Sequence, residues 1–481
     1  VKTKSIITTD KIHFGTDGWR GRIADDFTME NVRKVTDAIA RVVLKKTKDR
    51  PRKVVVGFDK RFMAEDFAVA SAGVFADYGF NIYLSDRPLS SPALSLAVVE
   101  KRANAGIMIT ASHNPWYFCG LKVKSSAGCS SDEEWTREVE RVLHGPKASH
   151  NSRNSQKQAQ PGKVTRQDFV APYLKKIASL VRIQKLSSLK IVSDPLYGTN
   201  VGYLERILGK RHVQEIHAKH DCMFGGLAPE PVERYLSGLK KTVVESNASA
   251  GLAFDGDGDR LGVIDENGRY LPPHVVFPLL VLYQIKYGHS KGNVVQTISL
   301  GYLSERIARK YGLSFKEVPV GFKYVAKEML QGSVIGGEES GGYGFGDYLP
   351  ERDGLLSGLR LLEFAEKERC PVSGLVQYLY REFGKSYFER SDIHLSSNNH
   401  LNKKEFTRDV RKAAGKFLPA GELSAVRDYD GAKFIFKDDS WLLIRPSGTE
   451  PLVRTYAESS NRKKTRSLLD LASKVVYTVY S

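Results

Sequence analysis

Residues 53–85, "KVVVGFDKRFMAEDFAVASAGVFADYGFNIYLS", hold a strand, a helix and a second strand in one run. Residues 53–59 are nearly continuous in apolar character, as a strand buried on both faces requires. Residues 65–79 carry a helical pattern that stops at Gly79, and 80–85 return to a short strand-forming run. Residues 91–102 and 105–110 repeat the alternation as helix and strand. Alternating strands and helices predict a mostly parallel sheet covered by helices on both faces.

The pattern restarts twice. Strands at 189–194, 213–218 and 250–254, with helices near 200–208 and 231–246, form a second unit. Helices at 273–287, 303–311 and 322–330, with strands at 293–299, 314–320 and 333–337, form a third. After about residue 385 the sequence becomes short strands followed by one terminal helix. The expected fold class is therefore α/β: three similar α/β domains with mixed, mostly parallel sheets, plus a C-terminal α+β domain, around a central cleft. The expected spans are 1–150, 165–268, 269–384 and 385–481. The polar stretch 145–168 reads as a linker or exposed loop.

A chain of 481 residues is too long for one core, which agrees with several domains. Charged residues at 27% and hydrophobic residues at 41% are ordinary for a globular protein. No apolar run approaches the roughly 20 residues that span a bilayer, and the N-terminal residues lack the apolar core of a signal peptide. A cytoplasmic protein without a membrane partner is expected, as a monomer or weak homodimer. Lys and Arg number 73 against 55 Asp and Glu, a formal charge of +18. They are spread along the chain with no nucleic-acid motif, so a solvated surface and anionic small substrates are expected rather than nucleic acid. Cys119, Cys129, Cys222 and Cys370 show no metal-type spacing and read as reduced thiols.

Ligands of parallel α/β sheets collect at the carboxyl ends of strands. Ser112, Asp255 and Glu338 each lie just beyond such an end, one per unit. In "FDGDGDR" (254–260) the side chains of Asp255, Asp257 and Asp259 alternate along an extended loop and can converge on one hard cation. An EF-hand-type Ca²⁺ loop is the rival, since Glu266 falls at the twelfth position. Arg260 stands at the sixth, where that loop needs Gly. A solvated acidic turn is the other reading.

Ser112 in "TASHNP" (110–115) is a turn serine or a nucleophile, with His113 adjacent and Lys122 ten residues on for proton handling. The G-x-S-x-G elbow of α/β-hydrolases is absent. "RPSGTEPLVRTYAE" (445–458) offers the forked donor of Arg445 and a turn at Ser447, Gly448 and Thr449, either a phosphate cradle or a plain hairpin. "GGEESGGYGFGDYLPERDG" (336–354) can place Glu338 and Ser340 on sugar hydroxyls, or be a glycine-rich lid. "FGTDGWRG" (14–21) puts Arg20 beside two glycines, as an anion clamp or a surface turn.

In this order and spacing the five motifs, with "GLKV" after the serine loop, resemble the α-D-phosphohexomutase superfamily over nearly the whole chain. The resemblance implies a four-domain enzyme, an isomerase of hexose phosphates, with one deep cleft. It implies that Ser112 is a phosphoserine completing a Mg²⁺ site with Asp255, Asp257 and Asp259. Arg20, Lys122, His113 and Arg260 would act around the transferring phosphoryl group, with Lys122 as candidate acid or base. Glu338, Ser340 and the segment Gly321, Phe322 and Lys323 would hold the sugar. Arg445, Ser447, Gly448, Thr449 and Arg454 would grip the far phosphate. A hexose phosphate substrate and glucose 1,6-bisphosphate as activator follow.

"GEESGG" and "PVGFKYV" (319–325) look like the phosphoglucomutase branch, so glucose phosphate is the expected substrate, with mannose or glucosamine phosphate as alternatives. Mannose-accepting relatives often carry His where this chain has Gly342 or Phe322. Cys119 and Gln296 stand where many relatives have Asn and Lys. Two other readings are a phosphatase releasing phosphate from Ser112 to water, and a non-catalytic sugar-phosphate binder. The distal cradle speaks against the first, the intact serine and Asp triad against the second.

Overall fold

In the computed structural model, residues 12–15, 17–47, 51–145, 160–186, 189–288, 291–395, 402–418, 420–447 and 452–480 are described. The first sheet contains β1 (Trp19–Arg22), β2 (Lys53–Phe58), β3 (Asn81–Ser85), β4 (Ala105–Ile109), β5 (Phe118–Ser125) and β6 (Val164–Gln167). Its order is β1-β5-β4-β2-β3-β6. β4, β2, β3 and β6 run parallel to one another, whereas β5 is antiparallel to both β4 and β1. β6 corrects two expectations. Residues 164–167 lie in the span read as linker and at the start of the second unit, yet they pair with β3 of the first sheet. Residues 146–159 of that stretch lie outside the described residues.

The second sheet has β7 (Ile191–Asp194), β8 (Val213–Glu215), β9 (Ala250–Phe254), β10 (Leu261–Asp265) and β11 (Tyr270–Leu271), in the order β11-β10-β9-β7-β8. The third has β12 (Asn293–Thr297), β13 (Ser314–Val318), β14 (Ile335–Gly337) and β15 (Tyr343–Phe345), in the order β13-β12-β14-β15. In both, the central pairs are parallel and a hairpin closes the edge antiparallel. The fold is thus three α/β units with mixed sheets. The fourth sheet, β16 (Tyr387–His394), β17 (Leu423–Arg427), β18 (Ala432–Phe436), β19 (Trp441–Pro446) and β20 (Leu452–Ser459), is antiparallel throughout, ordered β16-β20-β19-β18-β17. Helices Lys403–Ala414 and Arg462–Tyr480 pack on it, an α+β unit.

One apolar core runs through the first three units and reaches Trp441 of the fourth. Its spine is the helix Gly354–Lys367, buried at every position from Gly354 to Ala365 and packed on β9, β10, β15 and the helix Pro273–Tyr287. Asp353 starts that helix by accepting the backbone N–H of Leu356 at 2.9 Å. Asp353 also closes the glycine-rich stretch 336–353, so the core fixes the end of that loop rather than leaving a free lid.

His274, on the helix Pro273–Tyr287, stacks on Phe388 of β16 with ring centroids 4.8 Å apart. Burial pulls its imidazole down to about 3 from an ordinary 6.5. The unfolded chain therefore takes up this proton first, and the stability His274 contributes above pH 6.5 is lost as pH falls from there toward 3. His274→Gln should flatten that fall, by about 1.4 kcal/mol per pH unit at most. Urea midpoints at pH 7, 5.5 and 4.5 for both proteins would test it, and parallel pH profiles would defeat it.

Candidate active site

Ser112 lies in the loop between β4 and β5. It is 1% exposed and adopts φ 52°, in the left-handed region that most side chains avoid. In that conformation its Oγ donates to Asp255 Oδ2 at 2.7 Å. Asp255, Asp257 and Asp259 follow β9 and are fully buried, with one oxygen of each within 4.8 Å of the others. The two loops touch: a Cβ on Gly256 would sit 2.6 Å from the Ser112 carbonyl oxygen, so glycine is required for this approach.

The triad fits a hard cation. Asp257 Oδ1 and Asp259 Oδ1 are buried and accept no hydrogen bond, a costly state for carboxylate oxygens unless a cation supplies the partner. Burial, then the charges of Asp259 and Asp257, push the Asp255 carboxyl well above its ordinary pKa. A divalent cation relieves both burdens.

Lys122, on β5, reaches the same cluster. Its Nζ donates to Asp257 Oδ2 at 2.8 Å and Asp259 Oδ2 at 2.9 Å, and lies 3.0 Å from Asp17 Oδ2. Burial alone would lower the lysine pKa. Asp17, Asp257 and Asp259 outweigh it and hold the ammonium above its ordinary value. Lys122 is therefore a charged donor at rest. His113 is neutral: burial and the nearby Arg260, Arg20 and Lys122 hold its imidazole well below the ordinary value, and its Nδ1 makes no hydrogen bond. Arg20, on β1, donates to Asn114 Oδ1 at 2.6 Å and so borders the serine loop. Arg260 donates its backbone N–H to Asp255 Oδ1 at 3.1 Å, while its guanidinium lies 3.9 Å from both Glu230 and Asp255.

Three residues stand out here that the sequence reading did not name. Arg352 bridges all three α/β units. Its Nη2 lies 2.6 Å from Asp17 Oδ2 and 2.8 Å from Asp259 Oδ2, and its Nη1 donates to Glu338 Oε2 at 3.1 Å. Asp17 joins Arg352 to Lys122. Burial works against its charge, but Lys122, Arg352 and Lys124 hold it well below the ordinary carboxylate range. Asp17 and Arg352 both lie inside motifs quoted above. The third, Arg61, follows β2 and belongs to none of them.

Glu338 follows β14 and is 5% exposed. Its Oε1 accepts the Gly321 N–H at 3.2 Å, which ties it to the helix Phe322–Met329. Ser340 Oγ is buried and makes no hydrogen bond, a free group beside Glu338. Phe322 lies under the Arg352 guanidinium, 5.4 Å from its ring centre. Lys323 turns the other way and pairs with Glu133 on the helix Glu133–His144 at 3.2 Å. Gln296 is taken up by the fold: its Nε2 donates to the Gly301 carbonyl at 2.9 Å and its Oε1 accepts from Ser304. Cys119 is fully buried on β5 opposite Gly21.

In the fourth unit Arg445 and Arg454 stand opposite each other on β19 and β20. Like charges in register repel unless an anion lies near. Arg445 Nε donates to Asp430 Oδ1 at 3.0 Å. Asp430 Oδ2 accepts the Val320 N–H at 2.6 Å. A continuous path thus runs from Arg445 through Asp430, Val320, Gly321 and Glu338 to Arg352 and the Asp triad. The Ser447 N–H closes the strand turn on Leu452 at 2.9 Å. Gly448 and Thr449 lie outside the described residues.

Fold and site together define an α-D-phosphohexomutase. The phosphoglucomutase/phosphomannomutase domain models match in order: α/β/α domain I at 11–150, domain II at 171–268, domain III at 273–383 and the C-terminal domain at 400–474. The chain belongs to the phosphoglucomutase/phosphomannomutase family. It is 30% identical over 469 residues to a phosphoglucomutase/phosphomannomutase of Thermococcus kodakarensis, covering 96% of this chain and 98% of the relative. It is 32% identical to a probable phosphoglucosamine mutase of Pyrococcus abyssi, covering 96% and 97%. Among solved structures it is similar to a putative phosphomannomutase from Thermus thermophilus, with TM-score 0.82, 30% identity and coverage of 98% and 100%. Among the described residues no helix is long and apolar enough to cross a membrane.

Proposed function

We propose that this mutase moves a phosphoryl group between the 1- and 6-positions of a hexose phosphate, with Ser112 as the carrier and a hexose 1,6-bisphosphate as intermediate and activator. The observation that carries the reading is Ser112 Oγ held 2.7 Å from Asp255 beside carboxylate oxygens that lack donors. The path from Arg445 to Glu338 supports two-ended binding: a fixed far-phosphate grip lets either end of the sugar face Ser112.

Asp255, Asp257 and Asp259 would hold Mg²⁺, which supplies charge neutralisation at the phosphoryl group when bound. In the first transfer the serine Oγ–P bond breaks and a P–O bond to a sugar hydroxyl forms, and in the second the bisphosphate's other P–O bond breaks and the Oγ–P bond is restored. The proton lost by that hydroxyl equals the one Oγ regains. Transfer of this kind depends on positioning and charge more than on a strong nucleophile. Lys122, charged at rest, suits stabilising the phosphoryl oxygens and donating to a leaving oxygen. Arg20, on the edge of the serine loop, suits the same oxygens. Glu338 and Ser340 would read ring hydroxyls.

The choice of sugar follows the relatives more than the glucose reading of "GEESGG". Their names favour glucosamine and mannose phosphates, so glucosamine 1-phosphate is the first substrate to assay, with mannose and glucose 1-phosphates beside it. Absence of turnover on all three, with Mg²⁺ and a bisphosphate activator supplied, would reject the reading.

The two ends of the cleft should separate in the same assay. Glu338→Ala should change the ratio of kcat/KM between two sugars by about 10- to 100-fold, because one lost hydrogen bond penalises one epimer more. Arg445→Ala should lower every sugar by a similar factor, about 10- to 100-fold, since it meets phosphate regardless of the ring. A shifted ratio in Arg445→Ala with an unshifted one in Glu338→Ala would reverse the two assignments.

A further inference from the structure

We infer that Arg61 is the positioning residue that sets the reactive conformation of Ser112, a role that rests on the mutase reading above. The Arg61 side chain is fully buried. A guanidinium has five N–H donors in a fixed fork, and here each one has an acceptor. Nε donates to Asp59 Oδ2 at 3.1 Å. Nη1 donates to the carbonyls of Pro115 and Phe118, both at 2.9 Å. Nη2 donates to the carbonyls of Ser112 at 2.6 Å and Asn114 at 2.8 Å. Three carbonyls of the loop and that of Phe118 at the start of β5 therefore converge on a single planar cation, and the loop takes the shape of that plane.

The other side of the loop is fixed by the same anchor. Asp59 Oδ2 also accepts from Thr110 Oγ1 at 2.6 Å, and Thr110 Oγ1 accepts the Ser112 N–H at 2.9 Å. Ser112 is thus held at both its N–H and its carbonyl by groups that meet at Asp59 and Arg61. This bracket offsets the unfavourable φ of 52°. It leaves the hydroxyl as the one polar group of Ser112 turned toward Asp255. The Phe224 ring, from the second unit, closes the far side of Arg61, 4.9 Å from Cζ. Arg61 touches neither the triad carboxylates nor Glu338, so its effect on the reaction passes through Ser112.

A lysine carries the charge but only three donors, without the plane. Arg61→Lys should leave at least two of these five acceptors, at least one of them a carbonyl, without a partner and let Ser112 relax. Its kcat should fall by about a hundredfold, the cost of a small misplacement of a reacting group. KM should stay within about threefold, because Glu338 and Arg445 are untouched. The fraction of protein carrying phosphate on Ser112, read by intact mass after incubation with a hexose 1,6-bisphosphate, should fall with kcat. Thr110→Val keeps the shape of residue 110 and removes the acceptor of the Ser112 N–H, and should move kcat and phosphate occupancy the same way. It decides the matter if Arg61→Lys fails to fold. Full kcat and occupancy in a folded variant of either kind would overturn the inference, as would a KM that rises in step with the loss of kcat. Wild type that never acquires phosphate would instead reject the mutase reading. The φ of Ser112 in a crystal structure of Thr110→Val tests the bracket even then: a return to negative φ supports it and an unchanged 52° refutes it.

Discussion

Ser112→Ala should remove mutase activity, lowering kcat by at least about a thousandfold, while the protein keeps its fold. Ser112 Oγ makes one hydrogen bond, to Asp255, so little packing goes with it. The loop conformation is held through the Ser112 N–H and carbonyl, both of which an alanine retains. What disappears is the phosphate carrier. Melting curves of both proteins, intact mass and a coupled assay separate the outcomes. Activity near wild type, or an extra phosphate still present in the alanine variant, would place the chemistry elsewhere.

The second large effect is expected at Asp257→Asn. Metal affinity should fall by at least about tenfold, because the substitution removes one of three anionic ligands from a hard-cation site. Activity should fall by about a hundredfold or more with it. Three crowded carboxylates repel, and on that ground alone losing one should stabilise the metal-free protein. The structure reverses that sign. Asp257 Oδ2 accepts from Lys122 Nζ and from Ser91 Oγ, so an amide breaks a buried ion pair and leaves the ammonium less compensated. The metal-free variant should therefore melt lower than metal-free wild type. Calorimetric Mg²⁺ titration and melts in chelator test both parts. An unchanged Mg²⁺ affinity would remove the loop from the metal site.

The central parallel strands of the three α/β units and the helices that alternate with them were legible, because buried parallel strands read as apolar runs and those helices have a different period. The helices Met29–Lys46, Glu133–His144 and Gly354–Lys367 were not read. The hairpin partners β10, β11 and β15 were not. A short apolar strand shows the same local pattern whether its neighbour runs with it or against it, and β11 is only two residues long. β6 was hidden for a related reason: its four residues, Val164–Gln167, are exposed or half-buried on an edge and look like linker.

The site divided along similar lines. Ser112, the Asp triad and Glu338 were visible from their position past strand ends. Arg61 was not, since a single Arg after a strand carries no signal until the loop carbonyls it collects are seen. Arg352 and Asp17 lay inside quoted motifs, but their roles come from contacts with other segments, the one between them spanning 335 residues. The charged state of Lys122 depends likewise on carboxylates from two other segments.

Arg352 has a consequence for how the pocket changes over time. A Cβ at Gly342 would lie 2.2 Å from Arg352 Cδ, so the two positions share one volume. A histidine at 342 cannot be added to this chain as a single step, because Arg352 would have to leave its place first. Leaving would release Glu338, Asp17 and Asp259 together. Residues 342 and 352 are therefore coupled through packing, and a side chain placed at 342 displaces the aliphatic stem of Arg352 and strains the tie it makes among three segments.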